Sequence, residues 1–247
     1  MDKRVRDCPD LTKEDIELLK RIEKGLALTA DLSRADILLC TKLAPDEMLV
    51  ARHMTPQSTS SLYGKDATGR VLTPDDQPLL FRTLKGGSSG RGQKEVLPSG
   101  APIIQDCYPI YSEDKRLLGA MVYETNMVAY ERHRRRNRYF RQAVRWLQDM
   151  CIQGNMAHAA ELGRFGLYDG FYLVDRNRKV VYMNGIVANM FRSIGIVSDI
   201  SEQEIDTLEP LDEELVEQAF HTQLPSERRH ESGDGRIWIR TVIPLQM

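Results

Sequence analysis

The chain has 247 residues, with 34 Lys+Arg against 36 Asp+Glu for a net charge of −2, and is 41% hydrophobic and 28% charged. That is enough for one large or two ordinary domains with buried cores, and the charge balance excludes a global polyelectrolyte attraction to nucleic acid or an anionic membrane. No apolar run approaches the ~20 residues of a membrane helix, the opening MDKRVRDCPD has no apolar stretch behind it as a secretory signal would, and Cys8, Cys40, Cys107 and Cys151 lack any metal-ligand spacing. The expected location is the cytoplasm, with the four thiols reduced.

Residues 11–33 read as a helix. Thr12-Lys13-Glu14-Asp15 fits a capping box, and Ile16, Leu19, Ile22 and Leu26 follow as one apolar stripe. Gly25 costs such a helix about 1 kcal/mol relative to Ala and marks a place for a bend. Two strand-like runs follow at 35–40 and 48–54, then a polar loop over 55–70. Thr73-Pro74-Asp75-Asp76 reads as a second capping box, with proline in the first helical position, opening a helix through Leu79, Leu80, Phe81 and Leu84 that ends at Gly86-Gly87. The stretch 86–92 (GGSSGRG) is expected to be a loop. Residues 103–111 and 117–126 flank a polar turn as a hairpin, so 10–127 reads as an α+β unit with a mostly antiparallel sheet.

Residues 128–160 read as one long helix. It carries seven arginines between Arg132 and Arg145, and then Phe140, Val144, Leu147 and Cys151 at coiled-coil spacing over about two heptads. The expectation is a dimer seam made by those four residues, with the arginines outward against an acidic surface such as the tract 199–217, which has nine carboxylates and no Lys or Arg.

The last unit, 161–247, opens with the most informative stretch of the chain, DGFYLVDRNRKVVYMNGIVANM over 169–190. Phe171, Leu173, Val180 and Tyr182 mark two short strands around a charged turn. Asn184-Gly185 stops the second strand, with Asn184 expected to bond backbone amides, and a helix follows. Residues 211–220 read as a helix. Residues 227–231 and 236–244 form a hairpin around Gly233-Asp234-Gly235, in which Ile237, Ile239 and Val242 are expected to face the core and Trp238 the opposite side.

The stretch 169–190 resembles the opening of a PAS domain: an aspartate-glycine, a strand, a charged turn, a strand ending in asparagine, and a helix with an Ala188-Asn189 pair. The segments ADILL, SLYGKDATGR, PDDQPLLFRTLKGG, LPSGAPIIQDCYPIY and LLGAMVYETNM resemble, in that order, the GAF-like N-terminal domain of cytosolic bacterial sensor histidine kinases. Ser61–Gly64 and Glu124–Asn126 are the most specific pieces. Where that pattern has an arginine before a proline ahead of SLY, this chain has Thr55-Pro56.

The resemblance implies two sensory domains with antiparallel sheets, GAF-like then PAS-like, joined by a long helix, working as a homodimer. They bind a small-molecule signal and relay it to a kinase core that phosphorylates a response regulator, typically an RNA-binding antiterminator. A PAS sheet of this class has five strands and only four can be read here, which leaves a partly disordered second domain, a gap filled by a strand from another chain, or a chain that continues past residue 247; the last is favoured, since it also accounts for the kinase core with its ATP and magnesium boxes. No phosphoacceptor helix or nucleotide box occurs within the chain, and His230-Glu231, superficially an acceptor pair, falls in a hairpin strand.

Ligand pockets of this kind are apolar with a few convergent polar groups, and the candidates are His53, Ser61, Tyr63 and Arg70 in the loop region with Tyr123 on the sheet. The bland alternative is that these groups satisfy one another. A bilin would need a reactive cysteine beside a histidine in that loop, and none is there. A flavin would need a cysteine on the helix at 186–191, which has none, and a haem would need an axial histidine, for which His221 is better read as a helix-end charge. Two rival classes remain. One is a nucleic-acid-binding regulator using the arginine-rich helix, disfavoured by the acidic chain and the lack of interleaved aromatics. The other is an enzyme, for which no nucleophile–base pair, carboxylate pair or metal set can be assembled.

Overall fold

A computed structural model describes residues 1–8, 10–96, 101–134, 137–193, 195, 203–205, 210–231 and 235–246. The first helix, α1 (Lys13–Ser33), starts at the expected box: Thr12 Oγ accepts from the Asp15 N–H (3.2 Å) and Asp15 accepts from the Thr12 N–H (2.8 Å). It runs straight through Gly25, because the glycine is a contact site: a Cβ there would lie 2.5 Å from Met156 Cβ and 3.1 Å from Cys151 Sγ. Leu19, Ile22 and Leu26 are fully buried beneath it.

The first half is a six-stranded sheet built from β1 (Asp36–Ala44), β2 (Glu47–Met54), β3 (Val71–Leu72), β4 (Gly90–Val96), β5 (Ala101–Tyr111) and β6 (Leu117–Asn126). Their order is β3-β2-β1-β6-β5-β4 and every pairing is antiparallel. One face packs Ile37, Leu39, Leu49, Met121 and Tyr123 against α1. The other packs Leu38, Cys40, Val50 and Val122 against Leu79 and Leu80 of α2 (Pro78–Gly86). The period-two alternation of β1 and β6, with both faces covered, is why these strands read as near-continuous apolar runs.

Two local expectations change here. Thr73 and Asp76 do bond each other reciprocally, but they close a turn, and α2 begins only at Pro78. A helix running on from Pro74 would place Pro78 where it has no N–H to give and would hold Gln77 in the conformation a following proline disfavours; Gln77 sits instead at φ −140°. Residues 90–92, expected in a loop, begin β4 and pair with Gln105–Cys107 of β5. The glycines are there for clearance, since a Cβ on Gly90 would lie 2.9 Å from Thr83 Oγ and 3.0 Å from Leu79 Cδ.

The segment expected as one long helix is three elements: α3 (Met127–Arg134), α4 (Arg138–Ile152) and a 3-10 turn at Ala157–Glu161. Asn137 breaks it, with ψ 144° and its side chain accepting from the Tyr139 N–H (2.8 Å) as an N-cap. The side chains of 132–136 lie outside the described residues, and so do four of the nine carboxylates of the acidic tract expected to face them, Asp199, Glu202, Asp206 and Glu209. Of that tract, Glu217, Glu214 and Asp212 pair instead with Arg178, Arg228 and Arg240.

The four residues expected as a dimer seam face the chain's own interior. Leu147 and Cys151 are buried in the α1 side of the first core, Phe140 is buried against Phe171 and Tyr182 (ring centroids 5.2 and 5.5 Å), and Val144 lines a cavity beside it. A stripe at coiled-coil spacing is also what any helix packed on its own domain shows.

The second half holds β7 (Tyr172–Val174) paired with β8 (Val180–Met183), α5 (Gly185–Ser193), α6 (Pro210–Thr222), and β9 (Ser226–Glu231) paired with β10 (Ile237–Val242). The two hairpins are separate two-stranded sheets. Asn184 does what its position predicts, accepting from the N–H groups of Phe171 (3.3 Å) and Val187 (2.9 Å). On β10 Val242 turns inward as expected, but Trp238, expected on the other side, turns inward with it and with Arg240, while Ile237 (52% exposed) and Ile239 (65%), expected inside, face out. Trp238 and Val242 share a face because they are four residues apart on a strand.

Because α4 is spent on its own chain, Phe140→Asp with Leu147→Asp should unfold the protein, not split a dimer. Far-UV circular dichroism should show loss of cooperative melting, and Leu147→Ala alone should cost about 2–5 kcal/mol in urea unfolding.

Candidate functional site

The polar residues of the first half gather at one end of the β1–β6 pair, under the loop 55–70. Asp36 and Glu124 are direct cross-strand partners, 1% and 0% exposed. Two buried carboxylates side by side would repel unless each has its own donors. Asp36 accepts from His53 Nε2 (3.1 Å), Ser61 Oγ (2.6 Å) and the Leu62 N–H (2.8 Å). Glu124 accepts from the Tyr63 hydroxyl, from Gln105 Nε2 (2.7 Å) and from Gln77 Nε2 (3.4 Å). The Ala67 N–H donates to His53 Nδ1 (3.1 Å), which assigns the ring proton to Nε2 and so to Asp36. Tyr63 stands edge-on to His53 with centroids 4.8 Å apart. Burial, reinforced by Glu124, pushes its hydroxyl far above the ordinary tyrosine range.

His53, Ser61 and Tyr63 are therefore brought together, but their polar atoms are used on one another and on the two carboxylates. Arg70 lies on the rim, its guanidinium exposed and paired with Asp76 at 3.0 Å. Tyr123 is on the opposite face of the sheet, because it is one residue before Glu124 on the strand. It packs against Tyr108 at 5.7 Å, and its buried hydroxyl has no hydrogen-bond partner among the described residues.

A third buried carboxylate went unread in the sequence. Asp31, in the last turn of α1, has 0% exposure. Its Oδ1 accepts from the Gln57 N–H (2.7 Å) and Arg164 Nη2 (2.7 Å), and its Oδ2 from Arg164 Nε (2.6 Å) and the Phe165 N–H (3.1 Å). Arg164 Nη2 also donates to the Thr55 carbonyl (2.9 Å), and Ser58 Oγ donates to the Asp31 carbonyl. The signal available was position: an acid at a helix C-terminus opposes the dipole and needs a cation, and α1 has no basic residue in its last turn.

The cavity lies elsewhere, between α4 and the second half. It measures about 1290 Å³ and is lined by Phe140, Ala143, Trp146, Leu147, Phe171, Leu173, Phe191, Val216, Phe220 and Trp238 among others. Residues of both β7 and β10 border it, as do Leu28 and Leu32 of α1. Its polar groups are already organised: Arg240 Nε meets Asp212 at 2.8 Å, the Tyr172 hydroxyl meets the same carboxylate at 2.9 Å, and Arg178 pairs with Glu217 while lying 3.9 Å over the Phe220 ring. No group of His, Cys, Asp and Glu fit to hold a metal occurs among the described residues. Cys40, Cys107 and Cys151 are buried thiols, pushed up by desolvation and so unreactive, the latter two to about 12.

The same substitution should act with opposite sign at the two tyrosines. Tyr63→Phe leaves Glu124 short of a donor and should cost about 1–3 kcal/mol, whereas Tyr123→Phe removes an unpartnered buried hydroxyl and should be neutral or stabilising by about 1 kcal/mol, measured by urea unfolding at pH 7. Both hydroxyls hold their protons more tightly folded than unfolded. Their contribution is therefore complete below about pH 10, the unfolded value, and falls as pH rises above it. Unfolding midpoints should decline above pH 10 less steeply in Tyr123→Phe than in the unsubstituted protein.

The family described as "Histidine kinase PdtaS, GAF domain" matches residues 1–144. No curated protein matches the chain. Among solved structures, a "Sensor region of a sensor histidine kinase" aligns with TM-score 0.67 at 19% identity, covering 98% of this chain and 90% of that one. An "IcIR transcriptional regulator" from Alicyclobacillus acidocaldarius aligns at TM-score 0.39, 9% identity, over 63% of this chain and 71% of that chain. A PAS domain from Colwellia psychrerythraea aligns at 0.32, 17% identity, over 43% and 96%. Among the described residues no helix is long and apolar enough to cross a membrane. With more than half its length matched, and the six-stranded sheet and its helices in place, the chain belongs to the PdtaS-type histidine kinase family through its GAF sensor domain.

Proposed function

We propose that the chain is a cytoplasmic sensory input region, GAF-like then PAS-like, that binds a small molecule and relays occupancy to a histidine kinase core acting on a response regulator, working as a homodimer. The observation that carries the reading is the cavity. It is apolar and aromatic with a few fixed charges, and it is shared between α4 and the second half. Its volume is slightly above the roughly 300–1,000 Å³ of small-molecule sites. A molecule seated there touches α4 and both hairpins at once, so its occupancy changes the packing of the helix that joins the halves. The residues His53, Ser61 and Tyr63 then act as the organiser of the loop 55–70, in place of a ligand seat of their own, with Arg70 outside that network on the rim.

Native mass spectrometry of the protein purified without denaturation should show a bound small molecule that is released on unfolding. Ala143→Phe, which fills the cavity wall, should lose it while keeping its melting temperature. Coincident native and denatured masses, with no uptake of an apolar dye by the unsubstituted chain, would remove the cavity as the seat.

A further inference from the structure

The loop 55–68 is a strap fastened at three places. Gln57 and Ser58 bond Asp31, Ser61 and Leu62 bond Asp36, and Ala67 with Thr68 bonds His53. The lead-in to the second half is fastened to the first of these same points. Arg164 grips the Asp31 carboxylate with two nitrogens, Phe165 adds its N–H, and the Gly163 N–H on the other side donates to Glu227 of β9 at 2.8 Å. Phe165 then meets Phe171 edge-on at 5.8 Å, at the wall of the cavity. One fully buried carboxylate thus has each of its oxygens committed to two donors, one of the four from the strap and three from the lead-in.

We propose that Asp31 couples the strap of the first half to the lead-in of the second, so that loosening either one loosens the other. The reason is shared desolvation. The strap covers Asp31 and supplies Arg164 with the Thr55 carbonyl, and without that cover water reaches the ion pair and weakens it. Conversely, if Arg164 leaves, a buried carboxylate is left with an incomplete donor set, and the strap must open to hydrate it. Both elements are loops held mainly by polar contacts, the kind of segment that opens locally while the sheet stays closed. The coupling gives the proposed sensory reading its route between the halves and rests on that reading only for its use; the contact itself is independent of any ligand.

The test is amide hydrogen exchange on the full chain, read at residues 57–62 and at 163–171. Ser61→Ala removes one of the strap's two bonds to Asp36, leaving that of the Leu62 N–H, without touching Asp31. It should raise exchange at 163–171 about fivefold or more, the low end of ordinary coupling between sites. Arg164→Lys keeps the charge but loses the fork and the Thr55 contact, and should raise exchange at 57–62 by a similar factor. Protection along Leu117–Asn126 should not change in either variant, which separates local opening from unfolding. Acceleration confined to the substituted element in both variants would overturn the proposal. If Arg164→Lys loses protection in β6 as well, Ser61→Ala alone decides. Failure here leaves binding in the cavity unaffected, and absence of a bound molecule in the mass measurement leaves the exchange coupling measurable.

Discussion

Helix α4 has one apolar face and two neighbours that need it. Leu147, Met150 and Cys151 complete the core over α1, while Phe140, about two to three turns earlier, closes the aromatic group of Phe171 and Tyr182 in the second half. The residues between, Ala143 and Val144, are small and leave the cavity open beside them. A helix shared in this way fixes how the halves meet by side-chain packing at native density, which tolerates little shift before contacts are lost. The hydrogen-bonded lead-in at 163–165 adds direction to that packing, and the second half, which buries the small cluster Val180, Val187 and Phe191 and, on α6, Leu215, Val216 and Ala219, adds Phe140 of α4 to its aromatic group.

Buried charge shapes the first half as much as apolar burial does. Asp31, Asp36 and Glu124 sit under or beside a loop, and each is made tolerable by its own donors: Asp36 by Leu62 N–H, Ser61 and His53, Asp31 by the N–H groups of Gln57 and Phe165 with Arg164, and Glu124 by the side chains of Tyr63, Gln105 and Gln77. Networks of this kind are stabilising only when complete, so the loop 55–70 is held in one conformation by the needs of the acids beneath it. That is a different use of His53, Ser61 and Tyr63 from ligand capture, and it explains why a polar, glycine-containing loop is ordered without regular secondary structure.

Much of the fold could be read in advance wherever a local rule and the global packing agree. The Thr12–Asp15 box, the stripe on α1, the 103–111 and 117–126 hairpin, the charged turn at 175–178 and the Asn184 stop all rest on interactions within a few residues. Misreadings occurred where one residue's local preference was opposed from elsewhere. Pro78 delays a helix that Thr73 and Asp76 signal, Asn137 divides a segment whose apolar spacing runs on, and glycines at 90 and 92 that read as loop punctuation are spaces left for Leu79.

By itself the sequence determined the kinds of element, the antiparallel sheet and the family of the first half, since these depend on periodicity, capping and motif residues that interact at short range. Only the tertiary structure decided what the apolar stripe of α4 faces, which side of β10 is inside, and which acids are buried. Period alone says that residues share a face; what covers the face is set by chain segments tens to more than a hundred residues away. Arg164 meets Asp31 across 133 positions, and no local pattern around either residue names the other.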